Sequence, residues 1–205
     1  MDGITEIIQL SISMVLVFAT NNDNKVKEIR AMLGDAFDII TLKESGIDID
    51  IPEPHDTLED NAREKSTVIY NMTGKNCFSE DTGLEIAALN GEPGVLSARY
   101  AGEQKEPADN IVKVLENMLG ITDRQARFRT VISLIIDGQE HQFEGICEGT
   151  ILENVTGGKG FGYDPIFQPT GDTRSFAQMD TNEKNAYSHR AKAFKKLVAF
   201  LQAQQ

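Results

Sequence analysis

Two stretches of this chain crowd chemically unlike side chains together. Phe161-Gly162-Tyr163-Asp164-Pro165-Ile166-Phe167 interleaves glycine, rings and a carboxylate, and Glu183-Lys184-Asn185-Ala186-Tyr187-Ser188-His189-Arg190 follows with an ammonium, an imidazole and a guanidinium. Glycine lets a backbone approach a flat ligand, an aromatic ring stacks on it, and a carboxylate such as Asp164 reads its edge. Lys184, His189 and Arg190 would then offer donors to a base carbonyl or a phosphate. A flexible turn packing its aromatics on the core, beside solvated basic residues, is the plainer reading of the same letters.

A third polar group, Thr20-Asn21-Asn22-Asp23-Asn24-Lys25, follows the apolar run Val15 to Ala19 and precedes Val26, Ile29 and Leu33 at helical spacing, with Gly34 behind. Strand, loop and helix are therefore expected, with the loop at a helix amino end, where backbone N–H groups and the dipole favour anions. An ordinary capped loop fits equally, because the paired glycines of a phosphate-gripping loop are missing.

Glu80-Asp81 closes the strand-like Cys77-Phe78-Ser79 and offers oxygen ligands for a divalent cation, with Glu53 and Glu85 as further carboxylates. Adjacent strand residues point to opposite faces, so one of the two faces a given site, and Asp81 is our choice. A solvated acidic turn is the alternative in so acidic a chain. Other chemistries find no support: GxSxG and GxGxxG are absent, and neither His55, His141 and His189 nor Cys77 and Cys147 show metal-ligand spacing.

The 205 residues carry 20 basic against 32 acidic side chains, a net charge of −12, which argues against a sequence-independent grip on nucleic acid. No run approaches the roughly 18 apolar residues of a membrane span. Cys77 and Cys147 sit in apolar runs and read as buried thiols, which fits a reducing cytoplasm. Residues 1–13 are read as an extension, leaving 14–205 as the working domain.

Further elements follow from the pattern. Pro52 and Pro54 imply an extended loop between Leu42 and Asp56. Thr57 with Asp60 caps a helix running to Met72 and closed by Gly74. Pro107 opens another, with Ile111, Val114, Leu115 and Met118 on one face. Phe128 to Ile136 and Phe143 to Ile151 form a hairpin about Asp137-Gly138, and a last helix starts near Ser188. The expected fold is α/β: a mixed twisted sheet with flanking helices, in two lobes around a central nucleotide-binding cleft.

Taken in order, these residues resemble the inosine triphosphate pyrophosphatase family. The resemblance runs from Met14 to Gln202 through Thr20-x-Asn22-x-x-Lys25, Asp60-Asn61-Ala62, Asp81-Thr82-Gly83-Leu84, Pro93-Gly94-Val95, Ser97-Ala98-Arg99-Tyr100, Gly160 to Phe167 and Ser188-His189-Arg190. It implies Mg²⁺-dependent cleavage of ITP, dITP or XTP to the monophosphate and pyrophosphate, in a cytoplasmic homodimer. It also implies roles. Thr20 to Lys25 hold the triphosphate, Asp81 accepts a proton and ligates metal, and Glu53 is a further metal ligand. Thr82, Phe161, Gly162, Tyr163, Asp164, Lys184, His189 and Arg190 bind substrate. The chain departs from the pattern at Glu80 and Thr82, where relatives often have aspartate and serine, and near His55, where they often have glycine. A Maf-type nucleotide pyrophosphatase and a non-catalytic nucleotide sensor are the competing expectations.

Overall fold

The computed structural model describes residues 14–33 and 38–204. The apolar run forms β1 (Val15–Phe18), which pairs in parallel with β2 (Asp38–Thr41) on one side and with the start of β3 (Cys77–Ile86) on the other. Helix α1 (Asp23–Leu33) makes the crossover between β1 and β2. Only Val17 and Phe18 meet β3, opposite Cys77 and Phe78, so β3 continues past the end of β1. Glu80, Asp81 and Thr82 thereby lie beyond the strand end from which the loop of residues 20–25 departs.

The expected hairpin is β5 (Gln125–Ile136) and β6 (Gln139–Ile151), antiparallel along their length. Asp137 and Gly138 both take positive φ, 50° and 80°, the two-residue turn whose twist matches the strands it joins. With β4 (Pro93–Gly94) beside β3 and β7 (Phe167–Pro169) beside β6, the sheet order is β2-β1-β3-β5-β6-β7. Its mixed parallel and antiparallel pairing matches the expectation.

Helix α2 (Leu58–Thr73) begins where Thr57 Oγ1 accepts the Asp60 N–H at 3.1 Å and ends at left-handed Gly74, φ 63°. Helix α3 (Pro107–Asn117) starts on its proline, and α4 (Thr181–Tyr187) and α5 (His189–Gln202) close the chain. Alternation along β3 serves two helices. Ser79 and Asp81 meet α2 at Ala62 and Lys65, whereas Phe78 and Glu80 meet α5 at Phe194 and Arg190. Leu16, Phe18, Ile29, Phe78, Phe194 and Leu197 fill the core under α1 and α5, and Val17, Ile69 and Cys77 share the α2 side. A separate cluster, including Leu84, Ile86 and Tyr100 with Val114, Phe128, Phe167 and Phe176, packs the far ends of the long strands against α3. These are the two lobes.

Three expectations change. The strand expected to stop at Glu80-Asp81-Thr82-Gly83 runs on to Ile86, because β5 pairs with it residue by residue from Cys77 to Ile86. β2 and α4 were not anticipated, each being too short to show a period. The readings of residues 1–13 and of Gly34 lie outside the described residues. Both cysteines are buried and unpaired, as expected. No helix among the described residues is long and apolar enough to cross a membrane.

Candidate active site

Between the lobes lies a cavity of about 610 Å³, lined by all sixteen residues singled out above: residues 20–25, Glu53, Asp81, Thr82, residues 161–164, Lys184, His189 and Arg190. Its size suits a small organic ligand. Five segments converge there, namely the β1–α1 loop, the stretch before α2 that carries Glu53, the middle of β3, the glycine-rich loop and the α4–α5 junction.

Several of these side chains are already committed to the fold. Asn22 Oδ1 accepts the N–H groups of Asn24 (3.0 Å) and Lys25 (3.2 Å), capping α1, while Asn21 Nδ2 donates to the Ile49 carbonyl at 2.8 Å. Asp23 complements the helix dipole in the first turn, a place where its charge also opposes a phosphate. Within this loop the plainer capping role is realised for Asn22, and Lys25 is the cation that lines the cavity.

The glycine-rich loop is shaped by its glycines. Gly160 has φ 75°, and a Cβ there would collide with the Asp164 carboxylate, whose Oδ2 accepts the Phe161 N–H at 2.9 Å. Gly162, φ 59°, faces open space. The Tyr163 hydroxyl donates to the Ser97 carbonyl at 2.8 Å, so this ring supplies a wall fixed to the segment after β4. Phe161 lies against cations, 4.9 Å from Lys184 Nζ and 5.6 Å from the Arg190 guanidinium carbon.

A chain of buried ion pairs joins the two ends of the cavity. Asp164 Oδ2 meets Lys184 at 2.6 Å, and Lys184 meets Glu28 at 2.8 Å. Glu28 also binds Arg190, Arg190 Nε meets Glu80 at 2.8 Å, and Glu80 meets Lys25 at 3.1 Å. Burial penalises the charged Glu80, but Arg190 and Lys25 outweigh it and hold its pKa down at about 2. Burial likewise opposes a charged Glu28, and Arg190 and Lys184 again bring it below the ordinary value. Most of the Arg190 fork is therefore occupied by protein, with Thr82 Oγ1 at 3.5 Å as a further contact. Beside it His189, stacked on Phe128 with centroids 4.6 Å apart, is held neutral by burial, and its Nδ1 has no partner among the described residues.

On the other face of β3, Lys65 Nζ bridges Glu53 Oε1 (2.6 Å) and Asp81 Oδ1 (3.0 Å). Burial raises the pKa of Asp81 despite the pull of Lys65, and Glu53 adds to the rise. Glu53 keeps a lowered pKa: burial is outweighed by Lys65, Lys25 and Arg99. Among the described residues no three His, Cys, Asp or Glu side chains gather as a metal cage. Two oxygens converging on one cation nevertheless fit Mg²⁺, which takes one or two carboxylates and completes its shell with water and phosphate oxygens.

The sequence reading missed Lys65 and Glu28. The signal for Lys65 was present: it shares the buried stripe of α2 with Leu58, Ala62 and Ile69, where a lysine needs a partner. Glu28 sits next to Ile29 on the buried side of α1 in the same way.

The model of the Ham1 family matches residues 16–200. The chain belongs to the Ham1 family. It is 48% identical to a protein of Christiangramia forsetii named dITP/XTP pyrophosphatase, over 92% of this chain and 99% of that one. A Flavobacterium psychrophilum protein of the same name is 49% identical over 91% and 98%. The solved Ham1 protein of Staphylococcus aureus superposes with a TM-score of 0.84 at 38% identity, covering 93% of this chain and all of that one. All residues that line the cavity thus lie within the stretch that the Ham1 family model matches.

Proposed function

We propose that the chain hydrolyses deaminated purine nucleoside triphosphates, ITP, dITP and XTP, to the monophosphate and pyrophosphate, clearing them from the nucleotide pool. The observation that carries the reading is the meeting, in one cavity, of Asp81 and Lys25 at one end with Phe161, Asp164 and the unpartnered His189 at the other. The names of the relatives at 48% and 49% identity support the same reaction.

In this reading Lys25 and the β1–α1 loop neutralise and orient the triphosphate. Asp81, facing the cavity, takes the proton of a water molecule as its oxygen attacks the α-phosphorus. The bond to the β-phosphate oxygen breaks, and pyrophosphate leaves. Glu53 and Asp81 would hold Mg²⁺, which neutralises phosphate charge when bound. Phe161 stacks on the base. Hypoxanthine and xanthine carry a carbonyl where adenine carries an amino group, so a donor of the 161–164 loop backbone or the His189 imidazole that meets that carbonyl is left unpaired by ATP.

Pyrophosphate release from purified protein should be fast with ITP, dITP and XTP and slow with ATP. Asp81→Asn should lose at least about a hundredfold in kcat, the scale of removing one preorganised charged group. ATP turnover equal to ITP turnover would refute the specificity. The same reading takes the working form as a cytoplasmic homodimer. Val112 and Leu119, exposed seven residues apart on and just after α3, support an apolar contact there, and light scattering reads the mass.

A further inference from the structure

Lys65 occupies the place that the proposed metal needs. Its ammonium lies within 3.0 Å of one oxygen from each of Glu53 and Asp81, and the side chains of Lys65 and Asp81 are each only 9% exposed. A divalent cation held by Glu53 and Asp81 would compete for the two oxygens that the ammonium now shares. Two cations cannot share that point, because their repulsion grows steeply in a poorly solvated pocket. Glu53 has an independent anchor: Arg99 lies 3.4 Å from its other oxygen and donates to its backbone carbonyl at 3.1 Å. The carboxylate can therefore stay in place while the flexible lysine swings into the cavity it already lines.

We propose that Lys65 is the resident counter-ion of the metal pocket, that a divalent cation enters by displacing it, and that the nucleotide's phosphates receive the displaced ammonium. The metal then loads poorly alone and well with substrate. The device keeps the buried Asp81 and the half-buried Glu53 compensated between turnovers. It also delivers a positive charge to the phosphates only when the metal has arrived.

This inference rests on the assignment of Glu53 and Asp81 as metal ligands, and the test separates the two. Binding of Mn²⁺ alone, with no nucleotide, is titrated by electron paramagnetic resonance in wild type, Lys65→Met and Glu53→Gln. Lys65→Met should bind Mn²⁺ at least about tenfold more tightly than wild type, since its competitor is gone. Lys65→Gln, which keeps a donor for both carboxylates without the charge, should do the same if the methionine variant does not fold. Equal or weaker binding in the folded variant overturns the proposal while leaving the ligand assignment standing. Unchanged Mn²⁺ binding, with and without an α,β-imido analogue of ITP, in Glu53→Gln overturns the assignment and the proposal with it. In wild type the analogue should raise Mn²⁺ affinity by about tenfold or more; Mn²⁺ binding as tightly without it also overturns the proposal.

Discussion

Arg190 shows how little a residue's type reveals about its work. From sequence it is a free guanidinium at a helix start. In the fold it is 1% exposed and clamped between Glu28 and Glu80, with its pKa raised because the two carboxylates outweigh burial. Removing a shared partner from a buried ion-pair network leaves its carboxylates undercompensated, and here Glu28 would keep only Lys184 and Glu80 only Lys25. Arg190→Met should therefore cost about 3–5 kcal/mol of stability, visible as a fall in the urea midpoint, whether or not nucleotide is present. A variant that unfolds at the wild-type urea concentration would show that Lys184 and Lys25 suffice to compensate Glu28 and Glu80. His189, its neighbour, has the opposite character: it is neutral, stacked on Phe128, and its Nδ1 has no partner among the described residues.

At the scale of elements, the glycine-rich loop between β6 and α4 gives the sharpest contrast. Gly160 and Gly162 both have positive φ, where a side chain costs about 1 kcal/mol through its own backbone. Only at Gly160 does the added Cβ also strike Asp164, the residue that orders Phe161 and Lys184. Gly160→Ala should raise the KM for ITP by about tenfold or more, the scale of one displaced binding group, whereas Gly162→Ala should change stability by about 1 kcal/mol with a smaller effect on KM. Steady-state kinetics with thermal melting distinguishes these outcomes, and equal KM effects would contradict the collision. The same loop marks the limit of what sequence made legible. Its glycine density and rings advertised a site, as did the polar cluster before α1, and long periodic elements such as α2, α3 and the β5–β6 hairpin were plain from spacing. The ion pairs were not. Which carboxylates Arg190 and Lys65 meet depends on contacts 12 to 162 residues apart in the chain. β2 and α4 were hidden for a different reason: four or seven residues are too few for periodicity to appear.

At the scale of the whole molecule, a buried relay of charge runs through the cleft, so acid should loosen the protein from its active site outward. Glu28 and Glu80 join α1, β3, α4 and α5 through Arg190 and Lys184. Both have folded-state pKa values below the ordinary carboxylate value of 4.5, Glu80 at about 2. A carboxylate lowered in the folded state contributes stability that is present above its unfolded value and is lost as pH falls through the folded one. Asp164, raised by burial against the pull of Lys184, acts in the opposite direction and favours the fold as it gains a proton. The glutamate contribution is isolated by comparing wild type with Glu28→Gln in EDTA, which keeps metal out of the balance. At pH 7 the wild type should melt several degrees higher, since a buried charge pair is intact in one protein and broken in the other. The gap should shrink as pH falls below about 4.5 and close once Glu28 is protonated in the folded wild type. A gap that stays constant down to about pH 2.5 would mean that Glu28 matters through shape or hydrogen bonding alone, and that the charge relay does not tie the lobes' shared cleft to pH.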